Sequence, residues 1–324
     1  MMIEIPQRSF IGRVNPKWFA RVRPLHLNYT GSSSLSDYSV SLSLSSSDIP
    51  FGKLRSDKQD LLFLNSENEI IPYAIESANS SLIRIWLRFR EIKPERETFW
   101  MYYGNPDFTG ASDLSSIFYL YDEFNESSSL WNWTTICNNV SYEISDGLLT
   151  ISASASNCVL PVYQRLYYNG PAVYTYLPEG DFETKIVFYD WNPPAGDFTY
   201  RQMGALFVRD KSYFIGFYMR THYAAYMYRF ASFKTEAFSS SVICYEDKEI
   251  QNQTFRYLKV IRTEDNYHFF YSDDDVNWSD FGEITFENCS LLVFRIYISS
   301  GSLSGSIDSV YIRKKAAVEP VIEM

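Results

Sequence analysis

Histidine and cysteine are scarce in this chain. Its 324 residues hold three histidines and four cysteines. His26, His222 and His268 lie far apart, and no H-E-x-x-H or other clustered ligand pattern occurs. None of Cys137, Cys158, Cys244 and Cys289 has C-x-x-C spacing, so the usual zinc motifs are missing. His268 alternates with strand neighbours and reads as structural. Four thiols allow three pairings. Chain order favours Cys137 with Cys158 and Cys244 with Cys289, and four unpaired buried thiols are an equal alternative.

Positive charge is also in deficit. Lys and Arg total 29 against 39 Asp and Glu, for a net charge of −10. Such a surface repels phosphates, so no nucleic-acid partner is expected. The one basic run, Arg313-Lys314-Lys315, reads as a strand end. No stretch approaches ~18 uninterrupted apolar residues, so no membrane-spanning helix is expected. The opening MMIEIPQRSF has no apolar h-region of the secretory kind. No G-x-S-x-G elbow, P-loop or dinucleotide fingerprint appears, and no window carries an amphipathic helix with caps.

What is abundant is aromatic. Tyr and Phe number 26 and 24, and hydrophobic residues reach 46%. These side chains suit pleated, half-buried surfaces and supply a large core. Ile83-Arg-Ile-Trp-Leu-Arg-Phe89 alternates with period two. Ile83, Ile85, Leu87 and Phe89 point one way, while Arg84, Trp86 and Arg88 face water. Phe182–Tyr189, Phe255–Arg262 and Asn266–Ser272 read as further strands. Asn192–Asp197, Thr263–Asn266 and Ser272–Asp275 are turn chemistry between strands. The expected fold is all-β, with two β-sandwich domains. A polar passage near 106–118 divides them, giving domains at 1–116 and 117–315 and a C-terminal tail at 316–324.

Ordered motifs in the first third carry a resemblance. Trp18-Phe-Ala-Arg21, Leu35-Ser-Asp-Tyr-Ser-Val40, Asp60-Leu-Leu-Phe63, Pro72-Tyr-Ala-Ile-Glu76 and Ile85-Trp-Leu-Arg88 lead to Met101-Tyr-Tyr-Gly-Asn-Pro106. Together they resemble a domain family of unassigned function found in bacterial, archaeal and viral surface proteins, and cover roughly residues 10–115. Leu62 stands where that family usually has Arg. Farther on, Tyr121-Asp-Glu-Phe124, Leu130-Trp131, Ile144–Leu149, the hairpin Tyr271–Gly282 and Ile307–Arg313 resemble a concanavalin A-like lectin/glucanase jelly roll, the larger second domain. That fold hosts lectins, hydrolases and plain interaction modules alike.

Several residues are candidates for chemistry. Glu283 and Glu287 have the spacing of the E-x-D-x-(x)-E strand of laminarinase-like hydrolases, with Thr285 in place of the central Asp. Two carboxylates on one strand face would serve retaining hydrolysis, but the position near the domain end favours an ordinary exposed strand. Asp273 and Asp275, with Asp274 and Asp280 nearby, could offer oxygen ligands to Ca²⁺, although Asp-rich turns are common in hairpins. Otherwise no cofactor is expected. Trp131, Trp133 and Trp191 are loop-like rings that could stack on sugars, or could plug the ends of the sandwich. N-glycosylation sequons start at Asn28, Asn79, Asn125, Asn132, Asn139, Asn252, Asn277 and Asn288. Phe99-Trp-Met-Tyr-Tyr103 is apolar on both faces, so Trp100 and Tyr102 are expected to meet the second domain or a partner subunit.

These readings converge on a non-enzymatic extracellular, cell-surface or virion protein for adhesion or host recognition. Its partner would be a surface glycan or a host or cell-surface protein. A structural subunit of a capsid or surface filament, self-associating as a homo-oligomer, is the first alternative, and a jelly-roll glycoside hydrolase is the second. The missing h-region fits either a leader already removed or a virion protein made without one.

Overall fold

The computed structural model describes residues 16–110, 114–126, 128–134, 140–154, 172–190, 201–210, 213–222, 225–235, 242–251, 255–286, 288–298 and 302–324. Among these, every long element is a strand and none is an α-helix. The first run comprises β1 (Arg21–Asn28), β2 (Leu35–Ser45), β3 (Leu61–Leu64), β4 (Tyr73–Ala78), β5 (Leu82–Ile92) and β6 (Arg96–Tyr103). The second comprises β7 (Leu120–Asp122), β8 (Asn132–Thr134), β9 (Val140–Ser145), β10 (Leu148–Ser154), β11 (Ala172–Tyr176), β12 (Phe182–Asp190), β13 (Arg201–Asp210) and β14 (Tyr213–His222). It continues with β15 (Ala225–Thr235), β16 (Val242–Gln251), β17 (Tyr257–Thr263), β18 (Asn266–Ser272), β19 (Ser279–Thr285), β20 (Leu291–Ile298) and β21 (Ser302–Lys314). A last strand, β22, is Val321–Glu323. The chain forms two compact units, one from 1–118 with 316–324, the other 119–315.

The first unit packs two antiparallel sheets, ordered β22-β1-β6-β3 and β2-β5-β4. Period-two alternation supplies the core between them. Leu25, Leu27, Phe63, Phe99 and Met101 from one sheet meet Val40, Leu42, Leu44, Ile83, Ile85 and Leu87 from the other. The segment read as a tail is a strand instead. Val321, Ile322 and Glu323 pair with Asn28, Leu27 and His26, and the Ala316 N–H donates to the Tyr38 hydroxyl at 2.7 Å. Three paired residues are too short a run to show a period.

Both outer faces of this unit are also partly covered. Tyr102 packs with Phe19, Leu62, Leu64 and Phe108, so its cover comes from its own unit, while Trp100 is half-buried. The face expected to be wet carries Trp86, which is 7% exposed. Its Nε1–H donates to Glu76 at 3.0 Å, and its ring meets Phe118 edge-on at 5.3 Å. Beside it the Ser39 hydroxyl and the Arg88 guanidinium donate to the carbonyls of Ile117 and Ser116. The polar passage after β6 therefore straps the sheet, which period alone does not reveal.

A buried carboxylate ties the motifs of this unit together. Asp60 is 1% exposed and accepts the N–H of Arg55 at 2.9 Å and of Gly104 at 3.2 Å. Gly104 has φ +82, while Gly110 lies where a Cβ would fall 1.9 Å from the Tyr73 hydroxyl and under 3 Å from two carbonyls. Met-Tyr-Tyr-Gly-Asn-Pro thus ends its strand on a carboxylate supplied by Asp-Leu-Leu-Phe.

The second unit is a larger antiparallel sandwich of the jelly-roll kind. One sheet runs β19-β18-β17-β12-β21-β10-β9, with β7 also on β21, and the other runs β16-β15-β14-β13-β20-β11-β8. Neighbours distant in sequence, such as β12 with β21 and β13 with β20, mark the crossovers between sheets. Phe124, Phe182, Phe207, Phe269, Phe281 and Phe294 fill the core between them.

The two glycines of the first unit are expected to differ in cost. Gly104→Ala meets no close atom and suffers backbone strain alone, about 1–2 kcal/mol. Gly110→Ala forces its neighbours apart and costs about 3 kcal/mol. Denaturant midpoints at unchanged m-value measure both, and equal costs would contradict this packing.

Candidate functional site

The outer face of the eight-stranded sheet is built by register. On β12, Phe182, Ile186 and Phe188 turn into the core, so Glu183, Lys185 and Val187 turn outward. Strand pairing sets Lys185 opposite Tyr311 on β21 and opposite Lys259 on β17. Lys259 lies opposite Phe270 on β18, and Phe270 opposite Asp280 on β19. Tyr121 of β7 extends this row beyond Tyr311. One straight row therefore crosses six strands, reading Tyr121, Tyr311, Lys185, Lys259, Phe270, Asp280.

Its charges are held at known places. Glu183 and Arg313 pair at 3.0 Å with side chains only 11% and 8% exposed, and the Tyr311 hydroxyl donates to Glu183 at 3.0 Å. Burial pushes the Glu183 carboxyl up, but the Arg313 charge and hydrogen bond and the nearby Lys259 outweigh it, so the net shift is downward. Lys185 pairs with Asp275 at 2.8 Å and sits 5.0 Å from the centre of the Tyr311 ring. Lys259 lies 4.1 Å from the centre of Trp278 and 5.1 Å from that of Phe270, within cation–π range. Burial pulls the Lys259 ammonium below its ordinary pKa, and Glu183 and Asp275 only partly offset this. His268 stacks on Phe270 at 4.2 Å and meets Asp280 at 3.1 Å.

The Asp-rich hairpin is the scaffold of this face. Asp274 accepts the N–H groups of Val276 and Asn277 at 2.9 and 2.8 Å and the Asn277 amide at 2.7 Å. These bonds hold its carboxyl well below the usual range. Asp275 takes φ +60 and reaches Lys185, and the turn delivers Trp278 to Lys259. Asp273 is exposed. Among the described residues no three metal-ligating side chains gather; Asp274 closes the turn and Asp275 holds Lys185.

The other candidates fall elsewhere. Trp131 is half-buried; it donates to Asp122 at 2.9 Å and packs on Phe124 and Phe294, so one side of its ring belongs to the core. Trp133 and Tyr142 meet at 4.5 Å, where both sheets end, on β8 and β9. Glu283 is exposed on the edge strand β19, opposite His268. Trp191, Glu287, Cys137, Cys158, Asn139 and Asn252 lie outside the described residues. Asn79, Asn125, Asn277 and Asn288 are exposed, while Asn28 and Asn132 are half-buried. The described backbone does not bring Cys244 and Cys289 together. Cys289 is a buried thiol just before β20, and Cys244 is on β16, four strand intervals away in the same sheet. At roughly 4.8 Å per interval that is about 19 Å along the sheet, against a Cα limit near 7 Å.

Trp278 and the two lysines were not singled out by sequence reasoning. The signal present was a lysine at an outward position in both Phe-Glu-Thr-Lys and Tyr-Leu-Lys, but only register makes them neighbours.

Comparison with known proteins adds the following. A family model described as a domain of unknown function (DUF2341) matches residues 57–136. The match takes in Asp60–Phe63 and Met101–Pro106 and runs past the division at 118. No curated protein matches the chain. Among solved structures it is similar to the CBM2 module of the evolved Dit of Lactobacillus casei BL23 phage J-1, at 11% identity and TM-score 0.41, over 60% of this chain and 93% of that one. It is similar to the GH43 BlXynB protein from Bacillus licheniformis at 13% and 0.44, over 68% of this chain and 47% of that one. It is also similar to a legume lectin-like domain from Entamoeba histolytica at 8% and 0.40, over 58% and 91%. The chain spans under half of the BlXynB protein. These likenesses concern the fold.

Two outcomes test the site. Chelator or added Ca²⁺ is expected to leave Tm unchanged, and a Tm rising with Ca²⁺ concentration would place an ion here. Glu183, held below its ordinary 4.5, stabilises fully above that pH and loses its contribution as pH falls through the depressed folded value. Glu183→Gln should therefore flatten the acid limb of the stability profile. An acid limb identical to wild type would remove Glu183 from this role.

Proposed function

We propose that this chain is a non-enzymatic surface protein for adhesion or recognition, displayed outside a cell or on a virion, and that its second unit binds glycan on the outer face of the eight-stranded sheet. The observation that carries this reading is the row itself. The half-buried rings of Phe270, in the row, and Trp278, beside it, lie against Lys259, and Lys185 next to it is held by Asp275, all on one sheet face. Sugars present apolar C–H faces beside hydroxyl edges, and rings with interleaved donors match both. Binding here needs no moving part, since each donor is already oriented by a carboxylate or a ring.

A hydrolytic role has less support. Retaining hydrolysis needs two carboxylates about 5–5.5 Å apart on one cleft. On this face Glu183 and Asp275 are both engaged by cations, and Glu283 stands exposed at the sheet edge.

A glycan array probed with the full chain tests the reading. Saturable binding to at least one saccharide class is expected. Trp278→Ala should weaken it about tenfold, the value of one ring contact of about 1.5 kcal/mol. An array with no bound saccharide would sink the proposal, as would a Trp278→Ala protein that binds like wild type.

A further inference from the structure

Lys185 and Lys259 face each other directly across two neighbouring strands. Like charges so placed repel. The pair is not treated evenly. Lys185 has a carboxylate at 2.8 Å. For Lys259 the partners are rings, those of Trp278 and Phe270, and among the described residues no carboxylate lies within ion-pairing distance of it. Its ammonium is half-buried and below its ordinary pKa, chiefly through loss of hydration, with Lys185 and Arg313 adding repulsion. Facing it from neighbouring strands and the turn are Glu183, Asp275, Lys185 and Arg313, and the two acids are already engaged.

A cation kept in such a place at a cost to the fold is what an anion-binding subsite requires. We propose that this row is a subsite for an acidic sugar, with Lys259 receiving a carboxylate or sulfate group and the flanking rings receiving the sugar face. This rests on the glycan-binding reading and names the ligand class. The whole chain carries net charge −10, which bounds the anion. A dense polyanion would be repelled by the rest of the surface, whereas a saccharide carrying one acid group places that charge on Lys259, the lysine of the row that has rings rather than a carboxylate beside it.

The test is titration of the full chain with cellobiouronate, its methyl ester, a monosulfated cellotetraose and the parent cellotetraose. At least one acidic probe is expected to bind about tenfold tighter than its neutral counterpart, and to weaken as salt rises. The preferred probe decides between carboxylate and sulfate. Lys259→Met keeps the aliphatic stem over the rings and should lose at least about tenfold for that probe, while Lys259→Arg retains most of the affinity. The Tm of Lys259→Met should equal or exceed that of wild type, because a dehydrated charge is gone, so lost binding cannot be put down to unfolding. Equal affinity for acidic and neutral partners overturns the acid subsite while glycan binding stands. Acidic binding unchanged in Lys259→Met removes Lys259 from it. Failure of every saccharide overturns both readings.

Discussion

A carboxylate with almost no access to water holds the candidate face in place. Glu183 would be expensive as a buried anion alone, and Arg313 as a buried cation alone. Breaking such a pair by removing one partner costs about 3–5 kcal/mol, mostly the penalty on the charge left behind. The other contacts follow from this pair in order. Glu183 receives the Tyr311 hydroxyl, which fixes the ring beneath Lys185. Lys185 then reaches Asp275, whose turn is closed by Asp274. That turn carries Trp278 to Lys259. The face is a chain of dependencies, so its rigidity is inherited from its best-buried member.

The first unit uses the same device for another purpose. Asp60 has two backbone N–H groups as partners where Glu183 has a guanidinium and a phenol. Backbone donors neutralise no charge, but they pin two loops to one point. A buried acceptor of this kind specifies chain path, and a cross-strand ion pair specifies side-chain position.

Much of this architecture was legible in the pattern. Ile83, Ile85, Leu87 and Phe89 alternate because one sheet face must be dry, and all four are buried. The turns that follow β17 and β18 announce themselves by Asp and Asn. Legibility stops where distance in the chain stops being a guide. Trp86 sits at a position of wet period, yet Phe118 covers it, and no local window contains both. β22 is a strand only because β1, some 300 residues earlier, offers an edge. Lys185 and Lys259 are 74 positions apart and become neighbours through a pairing that closes after several crossovers. Trp131 and Trp278 look alike in sequence. Both are half-buried, but Trp131 donates to Asp122 and packs on the core, while Trp278 lies against Lys259.

The acidity of the chain and the cationic row are two ranges of one field. Net charge acts over the Debye length, about 8 Å at physiological ionic strength. Within that range, geometry decides instead. Lys259 is shielded from water by rings, so its field toward an approaching group is less screened than that of a surface lysine. A negatively charged molecule can therefore keep one site of opposite sign, provided that site is small, fixed and partly dry. The surrounding acid then works as a filter. On the proposed reading it would turn away ligands whose charge extends beyond the row and leave those whose single charge falls on it, so selectivity would arise from what surrounds Lys259 as much as from Lys259 itself.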